Sequence, residues 1–193
     1  MNIGKTLYVK NREQWRAWLK KYHAAKDEIW LIYYKKDSGK QRIPYNNAVE
    51  EALCFGWIDS IVKGIDKERF TQRFSPRQNG SVWSPMNKEC VRRLFKQRKM
   101  TPSGMAKLDR SFQALMRKSK GRAKEKLAIA PDILKALKRD NIVWKNFQKF
   151  PESYKSIRIG WIDGSRRRPE FFKKRLQYFL KMTAKNKRFG MVQ

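Results

Sequence analysis

The sequence predicts an α+β protein in which a small sheet carries packed helices and is followed by a helical C-terminal part. A change of hydrophobic period supports this. Apolar residues over 48–56 recur every three or four positions, as in an amphipathic helix, whereas from Arg69 they alternate, as in a half-buried strand. Only helical periodicity remains after Pro85. The strands therefore belong to the first half of the chain.

The first half contains helix and strand signals in turn. Asn11 caps a helix with an aromatic stripe, and the β-prone run from Glu28 to Lys36 suits a central strand because it is apolar on both faces. Residues 41–43 could pair back against it before Pro44. The stripe consists of Trp15, Trp18, Leu19 and Tyr22; a further helix is predicted over 46–56, with strands near 57–64 and 68–75.

The strand near 68–75 has two chemically different faces. Successive side chains of a strand point to opposite sides, so the apolar set is expected to enter the core and the cationic set to face outward. The inward set comprises Phe70, Gln72 and Phe74, and the outward set comprises Arg69, Thr71, Arg73 and Ser75.

The second half is predicted to be helical. Ser84-Pro85 and Thr101-Pro102 each place a capping residue before a proline at the first helical position. A single helix with one apolar stripe is expected after Pro102. Its stripe is Met105, Leu108, Phe112 and Leu115, and further helices begin at Pro131, Asn141, Pro151 and Pro169.

The chain is strongly basic, with 47 Lys or Arg against 17 Asp or Glu in 193 residues, a net charge of +30. Residues 1–90 hold 17 basic and 10 acidic residues, whereas residues 91–193 hold 30 and 7. Such a polycation favours anionic partners, so we predict non-specific binding to nucleic acid or another polyanion. The alternative is that the charge serves solubility alone.

Two basic groups are the predicted polyanion-binding residues. The first lies in an expected exposed linker, 117–126, which separates an α+β domain at 1–116 from a basic helical segment at 127–193. The second precedes the last helix. The groups are Arg117, Lys118, Lys120, Arg122, Lys124 and Lys126, and then Arg166, Arg167 and Arg168.

Common catalytic and cofactor motifs are missing from the sequence. Cys54 and Cys90 lack metal-ligand spacing, and a single histidine, His23, cannot build a zinc or histidine-dependent centre. We therefore predict no metal and no cofactor, and we leave enzymatic activity undecided, with a non-enzyme favoured. Without an apolar run of membrane-span length or a signal peptide, a cytoplasmic location is expected.

Polar and aromatic residues around the predicted hairpin form a candidate ligand site. Arg69 and Arg73 could clamp a phosphate or carboxylate beside the ring of Trp83. Asp59 could orient an arginine or act as a base. In the structural alternative, Asp59 caps a turn, the arginines pair with nearby acids and the tryptophans are core. The full set is Trp57, Asp59, Lys63, Arg69, Arg73, Arg77, Ser81, Trp83 and Asn87.

The same region resembles a known family. The runs 50–60 (EEALCFGWIDS), 73–77 (RFSPR) and 100–104 (MTPSG) are similar to motifs of the YdeI/OmpD-associated (OmdA) family, whose members are labelled bacteriocin-protection proteins. Trp161-Ile162 and Arg168-Pro169-Glu170 resemble its C-terminal segment. The resemblance implies a resistance role rather than a defined chemistry, and it brings no catalytic residues with it.

The predicted function is that of a basic binding protein for an anionic partner. One alternative is a small-molecule enzyme or ligand sensor that uses a pocket formed by Asp59, Arg73, Arg77 and Trp83. The other is a purely structural basic domain. The composition leaves the oligomeric state open.

Overall fold

The structure, a computed structural model, describes residues 2–117 and 127–190. These residues fall into two compact units, the first made of 2–82 and 90–117 and the second of 83–89 and 127–190. A small sheet with packed helices precedes a helical C-terminal part, which confirms the predicted fold class.

The first unit contains a four-stranded sheet among its described residues. Its strands are β1 (Thr6–Tyr8), β2 (Ile29–Tyr34), β3 (Trp57–Gly64) and β4 (Arg69–Pro76). The order is β1-β2-β4-β3, with β1 parallel to β2, and β4 antiparallel to both β2 and β3. β2 and β4 are therefore interior strands, as the two-sided apolar sequence of β2 predicts.

The helices of this part of the chain are short, and several of them begin at a capping side chain. Their bounds are α1 (Arg12–Tyr22), α2 (Tyr45–Cys54), α3 (Pro85–Lys96), α4 (Pro102–Ala106) and α5 (Arg110–Arg117), and a 3₁₀ turn lies at Lys36–Ser38. Asn11 Oδ1 accepts the Gln14 amide at 3.0 Å, and Thr101 Oγ1 accepts the Gly104 amide at 3.2 Å. Both helix starts were thus predictable from capping residues.

The core of the first unit lies between α1, α2 and one face of the sheet. Trp15, Leu19, Leu53 and Phe74 have no exposed surface there. The rings of Trp15 and Phe74 meet edge to face at 5.5 Å, and the Trp15 indole donates to Ala48 O at 3.0 Å. The buried indole thus satisfies its polar atom while filling the core.

The prediction for the two faces of β4 was partly wrong. Phe74 is fully buried, but Phe70 is half-buried, with its ring stacked on Tyr33 at 5.2 Å. Thr71, predicted to face outward and be exposed, is fully buried and donates its hydroxyl to Leu31 O at 2.8 Å. β4 is an interior strand, and Thr71 lies in register between Ile32 of β2 and Lys63 of β3.

Two other predictions fail for local reasons. Residues 41–43 form no strand; the Ile43 amide donates to Val9 O at 3.4 Å, and Gln41 O accepts the Tyr8 hydroxyl. The helix after Pro102 breaks into α4 and α5, because Asp109 Oδ1 accepts the Phe112 amide at 2.7 Å and so caps a new helix. The Gln113 side chain closes the break by donating to Met105 O and Leu108 O.

The second unit is built from helices in its described residues. They include α6 (Pro131–Lys138), α7 (Asn141–Lys149), α8 (Glu152–Asp163) and α9 (Pro169–Ala184). Its core consists of Ile133, Leu137, Val143, Phe147, Phe150, Tyr154, Ile159, Ile162 and Phe179. Phe172, Leu176 and Leu180 pack against this core, as the periodicity of α9 predicts. None of the helices described in either unit has the length and apolarity needed to cross a bilayer.

Candidate functional site

A cleft lies in the first unit where β3 begins and β4 ends. Its volume is about 530 Å³. Three of the predicted ligand-binding residues, Arg73, Arg77 and Ser81, line it. The remaining lining residues are Asp27, Ile58, Ser75, Pro76 and Gln78. The cleft is therefore polar and contains two cationic side chains and one carboxylate.

Arg73 is ion-paired at the wall of this cleft. Its Nε donates to Glu28 Oε2 at 2.5 Å, and Glu28 Oε1 accepts the Trp30 indole at 2.9 Å. The hydrogen bonds from Arg73 and then Trp30 lower the pKa of Glu28. Because Glu28 already neutralises much of its charge, Arg73 offers an anion less than a free guanidinium would.

Arg77 is buried, with 5% of its surface exposed. Its amide donates to Gly56 O at 2.8 Å, and its Nη2 donates to Val82 O at 3.0 Å. Burial lowers the pKa of Arg77, and the charge of Asp59 opposes that effect. Arg77 therefore shapes the turn that follows β4 and also lines the cleft.

Asp59 lies on the opposite face of the sheet from Arg73. It pairs in register with Phe74, and adjacent strand residues point to opposite faces. Its Oδ2 accepts hydrogen bonds from the Tyr45 hydroxyl at 2.7 Å and from the side-chain amide of Gln72 at 2.8 Å. Burial and then Asp59 raise the pKa of Tyr45 well above its ordinary value. Asp59 thus belongs to a separate hydrogen-bonded cluster.

Tyr33 adds a buried hydroxyl to the face that carries Asp59. The residue is 1% exposed, and its hydroxyl has no hydrogen-bond partner among the described residues. Burial, followed by the charges of Tyr45 and Asp59, raises the pKa of Tyr33. Periodicity alone could not reveal this cluster, since its members come from three strands and a helix.

Other predicted site residues serve the scaffold or lie elsewhere. Trp57 is 1% exposed and donates its indole to His23 O at 3.1 Å. Arg69 pairs with Asp66 at 2.6 Å, as the structural alternative expects. The Lys63 ammonium lies 5.9 Å from the Trp30 ring. Trp83 and Asn87 belong to the second unit. Trp83 is buried, and the backbone amide of Asn87 donates to Ser84 Oγ at 3.2 Å.

A carboxylate pair on α2 is enclosed by arginines. Glu51 is 1% exposed and lies 2.9 Å from Arg12 Nε and 2.5 Å from Arg16 Nη1. Its neighbour Glu50 contacts Arg12 and Arg93. Both acids therefore meet cations, so this network explains their presence without invoking catalysis.

Arg166 of the second unit differs from its two neighbours. Its Nη1 and Nη2 donate to Asp132 at 2.9 and 2.8 Å, and its Nε donates to Asp163 at 2.6 Å. Arg167 and Arg168 are exposed, and the Arg168 guanidinium lies 5.0 Å from the Phe171 ring centre. Of the three predicted polyanion-binding arginines here, Arg166 is therefore occupied by ion pairs within the second unit.

An exposed row of aromatic and basic residues runs along α9. Phe171 and Tyr178 are 51% and 46% exposed, although both are large and mostly apolar. Lys174 lies between the two rings and Lys181 follows them, at spacings of three or four residues that put all four on one helical face. Lys185, the cap residue directly after α9, continues the same spacing. We call this face the α9 stripe, and its members are Phe171, Lys174, Tyr178, Lys181 and Lys185. A helical projection of 169–185 could have found it in the sequence.

The first predicted polyanion-binding group falls largely outside the described residues. Lys118, Lys120, Arg122, Lys124 and Lys126 all do. Arg117 is the last residue of α5.

Two family models match the chain. Residues 7–107, more than half of the sequence, match the family described as Domain of unknown function (DUF8412). The chain belongs to this family. The DUF8412 region holds the motifs at 50–60, 73–77 and 100–104 and all the residues that line the cleft.

The second match covers residues 126–186 and is described as Bacteriocin-protection, YdeI or OmpD-Associated. It confirms the resemblance to this family and contains Trp161, residues 168–170 and the α9 stripe, whereas the motifs at 50–60, 73–77 and 100–104 lie outside it. No curated protein and no solved structure showed significant similarity to the chain.

Proposed function

We propose that the chain binds a polyanion, with nucleic acid as the favoured class, through the α9 stripe of its second unit. The observation that carries the proposal is the alternation of exposed aromatic rings with exposed lysines on one helical face. Lysines supply attraction to a phosphate backbone, and aromatic faces stack on unpaired bases. The combination suits single-stranded nucleic acid better than a uniformly charged surface would.

The charge around the stripe supports the proposal. Between 166 and 188 the sequence contains ten Lys or Arg and a single acid, Glu170. Three other acids of this unit are engaged elsewhere, since Asp132 and Asp163 hold Arg166 and Glu152 holds Lys155. None of the stripe lysines forms an ion pair with a described residue. Their charge therefore remains available to a partner.

The geometry of the rings supports the same conclusion. Tyr178 rests edge-on against Phe189 at 4.8 Å, and Phe171 lies under the guanidinium of Arg168. These contacts fix the rings while nearly half of each stays in contact with water. From Phe171 to Lys185 the stripe extends about 21 Å, enough to follow several phosphates.

Binding should be weak and insensitive to sequence, because no base-reading motif is present. We expect a dissociation constant of about 10⁻⁴ to 10⁻⁶ M near physiological salt. The test compares wild type with the triple variant Lys174→Gln, Lys181→Gln, Lys185→Gln on fluorescent single-stranded and duplex DNA at several salt concentrations. The triple variant should bind more weakly, with a salt slope on single strands reduced by about 2.

A matched control separates the stripe from total charge. Lys135→Gln, Lys145→Gln and Lys149→Gln remove the same three charges from exposed positions on α6 and α7. If this control loses as much affinity as the stripe variant, net charge rather than a site explains binding. Absence of binding by wild type at low salt would reject the proposal outright. Arg166 is left intact in both variants because it bridges Asp132 and Asp163.

The cleft of the first unit supports a second candidate, a site for a small anionic ligand. Its volume suits a small molecule, and Arg73, Arg77 and Ser81 supply donors for a phosphate or carboxylate. Titration with a nucleoside monophosphate should shift the NMR amide signals of Ser75, Gln78 and Ser81 in a saturable manner. Unchanged signals at these residues would contradict the assignment of the cleft as a site for this ligand class.

A further inference from the structure

One arginine of the second unit is buried without a counter-charge. Arg158, on α8, is 5% exposed, and its Nε and Nη2 atoms are buried with no hydrogen-bond partner among the described residues. These two nitrogens carry the parallel N–H groups along one edge of the guanidinium. That edge is one of those that bind a carboxylate or phosphate in a bidentate manner.

Four described acids of the second unit are bonded to other groups. Asp132 and Asp163 hold Arg166, Glu152 pairs with Lys155 at 2.8 Å, and Asp140 caps α7. Within 127–190, no carboxylate forms an ion pair with Arg158. A buried cation in this position is costly unless an anion or a ring system offsets it.

Aromatic rings surround the guanidinium, and a second cation lies on one of them. Its Cζ lies 4.6 Å from the Phe189 ring centre, 5.4 Å from Tyr154 and 5.9 Å from Trp161. Arg175 approaches the same Trp161 ring at 4.8 Å and donates to Trp161 O at 2.6 Å. The rings orient Arg158 through cation–π contacts but leave its two edge donors unused.

We infer that Arg158 is the buried anchor of an oxyanion site, in which its Nε and Nη2 bind two oxygens of a phosphate or carboxylate group. The Trp161 ring, with Arg175 on it, forms part of the wall. This site uses residues outside the α9 stripe, although the Phe189 ring contacts both Arg158 and Tyr178. It takes a single oxyanion group rather than a polymer backbone.

The segment 186–190 controls access to this site. A Cβ at Gly190 would overlap Nη2 of Arg158 and come within 2.9 Å of its Cζ and Nη1, so the backbone there packs directly against the guanidinium. The segment is held by the Phe189 amide, which donates to Tyr154 Oη at 3.2 Å, and by the Phe189 ring. An oxyanion takes the place of Gly190 beside the guanidinium, and the segment shifts outward when it binds.

The test is a titration of the full chain with inorganic phosphate, followed by phosphorus NMR linewidth and thermal shift at constant ionic strength. Sodium chloride replaces phosphate in the reference. Acetate forms a parallel series, followed by thermal shift alone, that separates a phosphate from a carboxylate ligand. Wild type should show saturable binding of at least one of the two anions. Arg158→Met should bind it at least about thirtyfold more weakly, since the buried donors are gone.

Two further variants make the outcome decisive. Arg139→Gln removes an exposed arginine of the same unit and should bind like wild type. Arg158→Lys keeps the charge but not the paired donors, so it should also lose affinity, and it replaces the methionine variant if that one fails to fold. Equal binding by wild type and either Arg158 variant would overturn the inference, as would no saturable response to either anion. DNA binding that depends on the α9 stripe would be unaffected by either result.

Discussion

Arg166 and Asp132, 34 residues apart, form a bidentate ion pair that joins the end of α8 to the start of α6. Both N–H···O distances, 2.9 and 2.8 Å, fall in the range of charge-assisted hydrogen bonds. Asp163 completes the arrangement at 2.6 Å. Arg166 therefore stabilises the second unit, whereas the adjacent Arg167 stays exposed.

The first prediction compares these neighbouring arginines. Arg166→Gln should lower the melting temperature more than Arg167→Gln, and added salt should narrow the difference because the pair is exposed. The hydrogen bond from Arg166 lowers the pKa of Asp132, so the stabilisation is complete above the ordinary aspartate value of 3.8. It should disappear as the pH falls through the lowered value. Melts recorded from neutral pH to about pH 2 test this; equal melting of both variants at pH 7 would contradict it.

The second prediction concerns Arg73, which lines the cleft and is paired with Glu28. Arg73→Gln should cost about 1 kcal/mol at neutral pH, near the upper end for a partly exposed ion pair. Because the pKa of Glu28 is lowered, the difference from wild type should vanish in acid. Thermal melts of both proteins give the result. A loss of several kcal/mol of stability would mark Arg73 as a structural residue and argue against a ligand-binding role for it.

The third prediction addresses the buried carboxylate of α2. Glu51→Gln should destabilise the first unit by about 3–5 kcal/mol, because Arg12 and Arg16 would lose the charge that offsets them. Glu13→Gln, at an exposed position on α1, serves as the control and should stay within about 0.5 kcal/mol of wild type. Urea denaturation measures both. Similar small effects would show that the network contributes little.

A fourth prediction compares the phenylalanines of β4. Phe74→Ala should cost about 3–5 kcal/mol, because the ring is fully buried against Trp15. Phe70→Ala should cost less, because that ring is half-buried and mainly stacks on Tyr33. Urea denaturation of the two variants provides the comparison. If the two losses were equal, the burial difference between the ends of β4 would not govern stability.

The fifth prediction concerns the Cys54 thiol. Burial, with a further contribution from the charge of Glu51, raises the pKa of Cys54 to about 11. Near pH 8 only about one thiol in a thousand is then ionised, so a Cys90→Ala variant should react slowly with a thiol reagent until urea unfolds it. Labelling rates measured with and without urea provide the comparison. Rapid labelling of the native protein would mean that Cys54 is accessible.

Local chemistry determined much of the fold from the sequence alone. Capping by Asn11 and Thr101 could be predicted because a cap needs only residues a turn apart. The interior position of β2 followed from its apolar character on both faces, and the inward stripe of α9 followed from its period. Such features depend on residues that are close in the chain, so they can be predicted without knowledge of the tertiary structure.

The site was decided by contacts between residues distant in sequence. Arg73 pairs with Glu28, which is 45 positions away in the sequence. Thr71 is buried in β4, which lies between two other strands. The sequence presents Arg158 as one of many cations, and only the packing of α8 against the segment 186–190 leaves its donor edge buried and without an acid. Charge and periodicity are properties of the chain, whereas the partner that a charged group meets depends on which surfaces the fold brings together.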